Sequence, residues 1–380
     1  MPEISESRPT WTEINLDNLA YNYRSAKKFI GERIGQMAVV KADAYGHGAI
    51  RCAKKLEPEA VDFFGVALPE EGLALRECGI TTPILCLGSF WQGQANLLLQ
   101  NNLTPVIYRL TQAENFSRYA SERNIQANIH IKIDTGMGRI GVRYDEVSAF
   151  ADELKKHENL RVEGIMTHFA AADDLRENEF TNRQIERFYQ AVKVFEAKGF
   201  RPKYKDLANS PGAIGHQNAL GNMVRLGGVL YGLGGDVLPK EIPKPELKPV
   251  MSLYSRVAHL KRVPKGETLG YGRTFTTRED SLIATIPIGY QDGYRRSISN
   301  EGRVIIKDKF APVVGRISMD WTLVDVTKIS DVKVNDEVTL IGASQSFQIT
   351  AEDLARQAET ISYEITCGIN RRVNRKYVGG

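Results

Sequence analysis

The chain has 380 residues, of which 42% are hydrophobic and 25% are charged. This composition is that of an ordinary globular protein and excludes collagen-like, coiled-coil and disordered classes. The 50 basic and 46 acidic residues give a net charge of +4. That charge is too small and too dispersed to predict a nucleic-acid partner, which requires a clustered basic face.

The sequence carries no sign of a membrane or of a secretory route. Its first ten residues, MPEISESRPT, lack the basic and then apolar pattern of a signal peptide. No apolar run approaches the roughly 20 residues that cross a bilayer. The cysteines show no CxxC pair and no metal-ligand spacing, which indicates reduced thiols. We therefore predict a cytoplasmic, soluble protein without a metal site.

Residues 12–240 alternate β-rich runs with amphipathic helical patterns, among them 70–78 and 178–198. Eight such βα units in this length are typical of a (β/α)₈ barrel of the TIM type. A doubly wound sheet is the alternative, but no GxGxxG links a strand to a helix. The predicted strands are 37–40, 63–66, 83–87, 104–108, 128–134, 162–169, 203–208 and 223–229.

The composition changes in the segment 237–249, where four prolines are interleaved with lysines. Such a segment cannot continue a helix or a central strand, so it predicts an extended linker. Beyond it, the apolar period shortens to two, which predicts a mainly β domain over 250–380, joined by the N-terminal residues 1–11. One late helix is predicted at 350–357, with capping-box spacing at its start. The predicted strands are 251–263, 281–288, 302–308, 317–326 and 336–342.

Polar or ionisable groups follow five of the eight predicted barrel strands. Because barrel active sites lie at the carboxyl ends of the strands, these groups should converge on one face. Their convergence is a stronger indication of a site than any single residue. The groups are Lys41, Asp134 with Arg139, His168, Asn209 with Ser210, and Arg225.

Lys41 and two glycine-containing segments suggest a phosphorylated cofactor. A lysine is most often a surface residue, but Lys41 follows an apolar strand, where desolvation makes it a competent Schiff-base nucleophile. Ser210 and the paired Gly227 and Gly228 follow the last two strands, where barrels often hold phosphate. Two adjacent glycines alone would indicate only a turn. Together with the lysine, they predict a cofactor that is both phosphorylated and bound through an amine.

Nine segments resemble, in order and nearly end to end, the alanine racemases of the pyridoxal-phosphate barrel type. The resemblance implies an isomerase that interconverts L- and D-alanine with pyridoxal 5′-phosphate and supplies D-alanine for peptidoglycan. It also implies a homodimer with active sites shared between subunits. The segments are VVKADAYGHG (39–48), IKIDTGMGRIGVR (131–143), THFAAAD (167–173), ANSPG (208–212), MVRLGGVLYG (223–232), GYGRTF (270–275), IPIGYQDGYRR (286–296), GRISMD (315–320) and ISYEI (361–365).

The resemblance implies that Lys41 binds the cofactor and exchanges a proton with one face of the substrate α-carbon. It implies that Tyr271, supplied by the partner subunit, is the second acid or base. Arg225 is expected at the pyridine nitrogen, with His168 beside it. The groups expected to hold the phosphate are Tyr45, Asn209, Ser210, Gly227, Gly228 and Tyr363.

Further residues of the matched segments are implied to bind substrate or to support the site. Arg139 is expected near the phenolic oxygen and the substrate carboxylate, which the Met319 amide of the partner subunit would also bind. Lys132 matches a lysine that is carbamylated in some members and orients that arginine. For any one of the remaining residues, an ordinary surface polar group is an equally good interpretation. The residues expected at the entrance or in support are Asp173, Tyr290, Arg296, Arg316 and Asp320.

The chemistry is consistent with these implied roles, although alternatives stay open. Racemisation requires two opposed bases, and an arginine at the pyridine nitrogen cannot give up a proton, which restrains side reactions. A serine or broad-specificity racemase is one alternative. A pyridoxal-phosphate decarboxylase is less favoured, because it should have a carboxylate where Arg225 stands. A non-catalytic carrier of the cofactor would resemble the barrel alone.

Overall fold

The computed structural model describes residues 8–379. The region before residue 237 begins with one strand and one helix and continues as alternating strands and helices. The continuous apolar runs become strands because parallel strands are buried on both faces. The elements are β1 (Trp11–Asn15), α1 (Leu16–Ile30), β2 (Gly35–Val39), α2 (Lys41–Tyr45), α3 (Ala49–Leu56), β3 (Phe63–Val66), α4 (Pro69–Glu77), β4 (Ile84–Cys86), α5 (Ala95–Gln100), β5 (Leu103–Ile107), α6 (Leu110–Glu122), β6 (Ala127–Asp134), β7 (Val142–Arg143), α7 (Val147–Leu154), β8 (Leu160–Met166), α8 (Asn178–Ala197), β9 (Tyr204–Asp206), α9 (Ser210–Gly215) and β10 (Met223–Leu226).

Eight of these strands form a closed parallel barrel. Their order is β5-β4-β3-β2-β10-β9-β8-β6, and β5 also pairs with β6, which closes the ring. One cluster of buried side chains comes from six different strands of the ring: Met37, Phe63, Leu85, Val106, Met166 and Met223. The predicted (β/α)₈ barrel is therefore confirmed. All eight predicted strands and the helices predicted at 70–78 and 178–198 are present, with ends shifted by a few residues.

Several barrel strands end earlier than predicted, and one of these differences affects the site. The run 162–169 was expected to be strand throughout, but β8 ends at Met166. Beyond it, the Thr167 hydroxyl donates to the Ile133 carbonyl at 2.8 Å and contacts the Thr135 hydroxyl at the same distance. These bonds hold the chain against the end of β6, so His168 lies in the loop that follows the strand.

The second region is mainly β, as predicted. It contains β11 (Met251–Arg256), β12 (His259–Val263), β13 (Thr268–Leu269), β14 (Phe275–Thr276), β15 (Ser281–Ile286), β16 (Arg303–Ile306), β17 (Lys309–Pro312), β18 (Thr322–Asp325), β19 (Glu337–Ala343), β20 (Gln348–Ile349), α10 (Ala351–Gln357), α11 (Ser362–Gly368) and β21 (Asn374–Val378). The predicted late helix is α10, and Thr350 caps it by accepting a hydrogen bond from the Asp353 amide.

Two predicted strands of this region were too long. The run 251–263 divides into β11 and β12, which belong to different sheets. The backbone changes partner between them, because the Val257 amide bonds to Asp336 and the Ala258 amide bonds to Thr285. The run 317–326 is a strand only from Thr322, because a turn closed by the Ser318 hydroxyl precedes it.

The larger sheet joins the two ends of the described chain. β1 lies between β11 and β21 in the order β17-β16-β19-β11-β1-β21. Residues 12–15, which the predicted barrel range includes, therefore hydrogen-bond in this sheet, while residues 1–7 lie outside the described part. The segment 237–249 contains no helix or strand. The predicted domain boundaries, with the barrel ending at 240 and the mainly β domain beginning at 250, stay a prediction. No helix among residues 8–379 is long and apolar enough to cross a membrane.

Candidate active site

A cavity of about 750 Å³ opens at the carboxyl ends of the barrel strands. Residues of the barrel, of the loops after its strands and of α11 line it. Twelve of the residues singled out in the sequence lie together on its wall. They are Lys41, Tyr45, Lys132, Arg139, His168, Asp173, Asn209, Ser210, Arg225, Gly227, Gly228 and Tyr363.

Lys41 stands at the start of a left-handed turn. The four residues Ala42–Tyr45 have φ angles between 52° and 54°, and none of them is glycine. A left-handed helical conformation costs roughly 1–2 kcal/mol per residue, so contacts elsewhere must hold the turn. Both Lys41 and Tyr45, at its two ends, line the cavity.

Two charged side chains from distant parts of the chain hold this turn. The Glu71 carboxylate accepts the Ala42 amide and the Ala67 amide, each at 2.7 Å. At the other end, Arg375 of β21 donates from Nε to the Gly46 carbonyl at 2.8 Å. The turn that carries Lys41 is thus fixed by α4 on one side and by the last strand on the other.

The Lys41 amine is mostly buried among cations. Burial lowers the pKa of Lys41 from its ordinary value, and Arg139 and Arg225 lower it further. Glu71 opposes this change by raising the pKa of Lys41. A lowered pKa increases the fraction of free amine at neutral pH, which is the form that acts as nucleophile or base.

Arg225 is buried and strongly tied to its surroundings. Its Nη1 donates to the buried Asp206 carboxylate, and its Nη2 donates to the Thr167 carbonyl at 2.9 Å. Nη2 also lies 3.2 Å from His168 Nδ1. Within the described part of the chain, its Nε–H has no acceptor, although the side chain lines the cavity. One donor of a fixed guanidinium is therefore left for a ligand.

His168 is neutral beside this arginine. Burial and then the charge of Arg225 place the pKa of His168 well below its ordinary value. The guanidinium can only donate, so His168 Nδ1 accepts and the ring carries its proton on Nε2. The imidazole thus adds no further positive charge to the cavity.

Hydroxyl groups and amides converge at the far side of the cavity. The Gly227 amide donates to the Ser210 hydroxyl at 2.9 Å. A Cβ added at Gly227 would lie 2.6 Å from the Tyr45 hydroxyl, and one at Gly228 would lie 2.2 Å from Tyr363 Cε1. Only glycine therefore lets both phenols approach this backbone. The hydroxyls of Ser210, Tyr45 and Tyr363 beside this open backbone form a cradle that can bind an anion such as phosphate.

Both phenols keep their protons. Burial raises the pKa of Tyr45 and the pKa of Tyr363 well above the ordinary value. Their rings meet edge to face, with centroids 5.2 Å apart. Each hydroxyl can therefore donate a hydrogen bond to an anion in the cradle.

Lys132 and Arg139 add positive charge on the opposite wall. Burial, and then the charges of Arg225 and Arg139, lower the pKa of Lys132 to about 7. The loop that carries Arg139 is shaped by Asp134, whose carboxylate accepts the amides of Gly136 and Gly138 at 3.0 Å each. This wall favours a second anionic group, such as a carboxylate, besides the one in the cradle.

Comparison with known proteins agrees with this geometry over the whole chain. The family model for the N-terminal domain of alanine racemase matches residues 14–234, and the model for its C-terminal domain matches residues 250–377. The chain belongs to the alanine racemase family. Members of this family are isomerases that interconvert the enantiomers of alanine with pyridoxal 5′-phosphate as cofactor.

Individual alanine racemases are similar over nearly the full length. That of Halothermothrix orenii is 42% identical, covering 98% of this chain and 99% of the relative. That of Geobacter sulfurreducens is 44% identical, covering 98% of each. The solved alanine racemase of Clostridium difficile 630 has a TM-score of 0.92 at 40% identity, covering 98% of this chain and 96% of the other.

The residues of the cavity fit the cofactor of this racemase family. Arg225 offers one unused N–H, the glycine pair keeps open a cradle that any Cβ would fill, and Lys41 supplies an amine with a lowered pKa. An aromatic nitrogen, a phosphate and an aldehyde are the groups that these three features would bind.

Six residues singled out in the sequence do not reach this racemase cavity. They lie on exposed loops of the second region, where Tyr271 is 69% and Met319 is 50% exposed. The structure brings some of them together there, since the Tyr290 amide bonds to Ser318, the residue before Met319. The six are Tyr271, Tyr290, Arg296, Arg316, Met319 and Asp320.

Three residues that the sequence interpretation missed also belong to the site. Asp206, at the end of β9, pairs with Arg225, and an inspection of strand ends could have found it. Glu71 holds the Lys41 turn, but its sequence context suggests only a helix start. Cys367 lies four residues after Tyr363 on α11 and lines the cavity, and no motif in the sequence indicates this.

Proposed function

We propose that this chain racemises alanine with two opposed bases, Lys41 on one face of the α-carbon and Tyr271 of a second copy on the other. The observation that supports this most is the shared cavity of Lys41, the free Nε–H of Arg225 and the glycine cradle. When bound, pyridoxal phosphate withdraws electrons from the α-carbon and makes its proton labile.

Lys41 serves as a base because of its surroundings. An amine that is mostly buried beside two guanidinium groups holds its proton weakly. It can therefore take a proton from the α-carbon at neutral pH in one direction of the reaction, while Tyr271 protonates the other face, and it donates a proton from Nζ in the reverse direction. Tyr271 performs the corresponding transfer on the other face through its phenol oxygen.

Arg225 is proposed to restrict the reaction to proton transfer at the α-carbon. Its guanidinium would donate a hydrogen bond from Nε to the pyridine nitrogen of the bound cofactor and would give up no proton. Asp206 and the Thr167 carbonyl hold it in place and support its charge. An unprotonated ring nitrogen stabilises a carbanion less fully, which limits transamination and disfavours the decarboxylase alternative.

The proposed active unit is a homodimer. The support is that Tyr271 and Met319 lie exposed and outside the cavity of their own chain. An exposed aromatic and a methionine on neighbouring loops are typical of a subunit interface. The partner's Tyr271 would complete the site of one chain, and the partner's Met319 amide would bind the substrate carboxylate.

Arg139 and Lys132 are proposed to face the substrate carboxylate and the phenolic oxygen of the cofactor. With its pKa lowered to about 7, much of Lys132 is free amine at neutral pH. A free amine can take up carbon dioxide, and the resulting carbamate would hold Arg139 by an ion pair. Asn209, Ser210, Tyr45 and Tyr363 are proposed to hold the phosphate.

A labelling experiment tests the racemase proposal. The purified chain is incubated with each D-amino acid in deuterated water, and both the L-enantiomer and the deuterium at the α-carbon are measured. We expect inversion and labelling of alanine, while equal or faster inversion of serine would favour the broad-specificity alternative. No inversion of alanine, with or without added cofactor, would reject the proposal. Cytoplasmic localisation stays a prediction, which cell fractionation tests.

A further inference from the structure

We propose that Glu71 is a positioning residue for Lys41, which fixes the left-handed turn on which the lysine stands. The inference rests on the proposed function, because it concerns how the first of the two bases is held. Glu71 makes no contact with the interior of the cavity. It acts from behind the wall, through the backbone that carries Lys41.

One carboxylate joins two neighbouring strand ends. Glu71 Oε1 accepts the amide of Ala42, the residue after Lys41, at 2.7 Å. Glu71 Oε2 accepts the amides of Ala67 at 2.7 Å and of Leu68 at 3.2 Å. Ala42 follows β2 and Ala67 follows β3, and both line the cavity. A single side chain therefore bridges the segments that follow these two paired strands, in addition to the backbone hydrogen bonds between the strands.

The turn has backbone hydrogen bonds of its own, and the Asp43 carboxylate accepts the Ala49 amide, but none of these bonds pairs the Ala42 amide. The left-handed run begins at Ala42, and its residues Ala42–Tyr45 lack the glycine that would adopt such angles without strain. The acceptor of the Ala42 amide is Glu71. Without that bond, the first N–H of the strained run would be unpaired beside a cavity, and the turn could relax toward ordinary angles.

The carboxylate form matters, because three donors converge on Glu71 from two sides. A glutamine has the same length but only one acceptor oxygen, and its NH₂ group would face a backbone N–H. An aspartate keeps both oxygens and the charge, but it is one methylene shorter and cannot span both strand ends. The two substitutions therefore separate the charge of Glu71 from its reach.

The charge of Glu71 acts directly on Lys41. Among the charged groups that influence the amine, Arg139 and Arg225 disfavour its protonated form, whereas Glu71 favours it. Replacing Glu71 should therefore change two quantities: the position of the lysine and the pH at which the lysine becomes free amine. Cys367 also raises the pKa of Lys41, and the charge of Lys41 in turn lowers the pKa of Lys132 and the pKa of His168.

The test compares Glu71→Gln and Glu71→Asp in the full-length chain. Glu70→Gln is the matched control, because Glu70 is the exposed neighbour and, within residues 8–379, its carboxylate accepts a hydrogen bond only from the Gln94 amide group. Cofactor-free protein is incubated with pyridoxal phosphate over a pH series, and the lysine-bound product is trapped with borohydride and quantified at Lys41 by mass spectrometry. kcat, KM and the isotope effect with α-deuterated alanine are measured in both directions.

In Glu71→Gln, we expect the pH midpoint of Lys41 loading to move lower and kcat to fall about 10- to 100-fold with little change in KM, since a small misplacement of a reacting group has such an effect. Glu71→Asp should keep the midpoint and lose kcat. In both, the isotope effect should rise for the enantiomer whose α-proton faces Lys41, and Glu70→Gln should match the unaltered chain.

Three outcomes would overturn the inference. One is wild-type loading, kcat and isotope effects in both Glu71 variants. Another is equal loss in both directions without a change in isotope effect or loading, which indicates a merely structural role. The third is failure of both variants to fold while Glu70→Gln folds. If the unaltered chain loads Lys41 but does not racemise alanine, the proposed function fails and the loading comparison still decides the role of Glu71.

Discussion

Replacing Gly228 by alanine should weaken cofactor binding by closing the cradle. The added Cβ would lie 2.2 Å from Tyr363 Cε1 and 2.3 Å from its hydroxyl oxygen. These are far inside van der Waals contact, so the Tyr363 ring must move away from the cradle. The ring is the far part of a side chain, and α11 can keep its place while the ring moves. The main loss is therefore one phenolic hydrogen bond to the phosphate.

The size of this loss follows from the kind of bond. A hydrogen bond to a charged group contributes about 1.5–3 kcal/mol. Because 1.4 kcal/mol corresponds to a tenfold change in Kd, we expect pyridoxal phosphate to bind about 10- to 100-fold more weakly. Fluorescence titration of the cofactor-free chain measures this affinity, and thermal unfolding without cofactor checks that the fold is retained.

Gly368→Ala provides the matched control. Gly368 lies on the same helix as Tyr363, and a Cβ there would meet only Arg295 Nη2 at 3.8 Å. This variant should bind the cofactor as the unaltered chain does. The reasoning is refuted if Gly228→Ala retains full affinity, or if both variants lose affinity equally.

Three further predictions concern the second base, the buried ion pair and Lys132. Mixing a Lys41→Ala chain with a Tyr271→Phe chain should restore about a quarter of wild-type activity. Half of the two-fold dimers are then mixed, and each mixed dimer has one intact site of two. A mixture without activity contradicts the shared site. Asp206→Asn leaves the Arg225 charge buried without its counter-charge, and urea unfolding should show a loss of about 3–5 kcal/mol; an unchanged midpoint argues against an ionised pair. The folded-state pKa of Lys132 is about 7, below its ordinary 10.5, so the unfolded chain binds more protons between these values and folding stability rises with pH there. The melting temperature of the unaltered chain should therefore rise from pH 7 to pH 10 relative to Lys132→Met, and parallel curves for the two chains would exclude a lowered pKa.

Much of the barrel was predictable because its physical cause is local. Each buried parallel strand is a short apolar run, as at Phe63–Val66, and the residue after such a run must lie at the mouth. From this rule, the sequence predicts that Lys41 and Ser210 lie on one face of the barrel, and both line the cavity there. The strands at 251–263 and 317–326 were misjudged because alternation does not reveal where a backbone changes partner.

The supports of the site were not predictable, because they depend on contacts between distant segments. No local preference of Ala or Tyr favours a run of four left-handed residues, so the turn after Lys41 depends on distant supports such as Glu71 and Arg375. The roles of Tyr271 and Met319 stay predictions. Both residues lie outside the cavity of their own chain, and the partner cavity that they would complete belongs to a second chain.

The pairing of β21 with β1 has a consequence for how the protein is made. Arg375 lies on the last strand, yet it holds the Gly46 carbonyl beside Lys41. During synthesis, the barrel leaves the ribosome some 130 residues before that strand, and domains can fold as they emerge. A nascent or prematurely ended chain would therefore have a barrel whose cofactor lysine is not yet fixed. The position of the lysine thus depends in part on a strand that is translated long after the barrel.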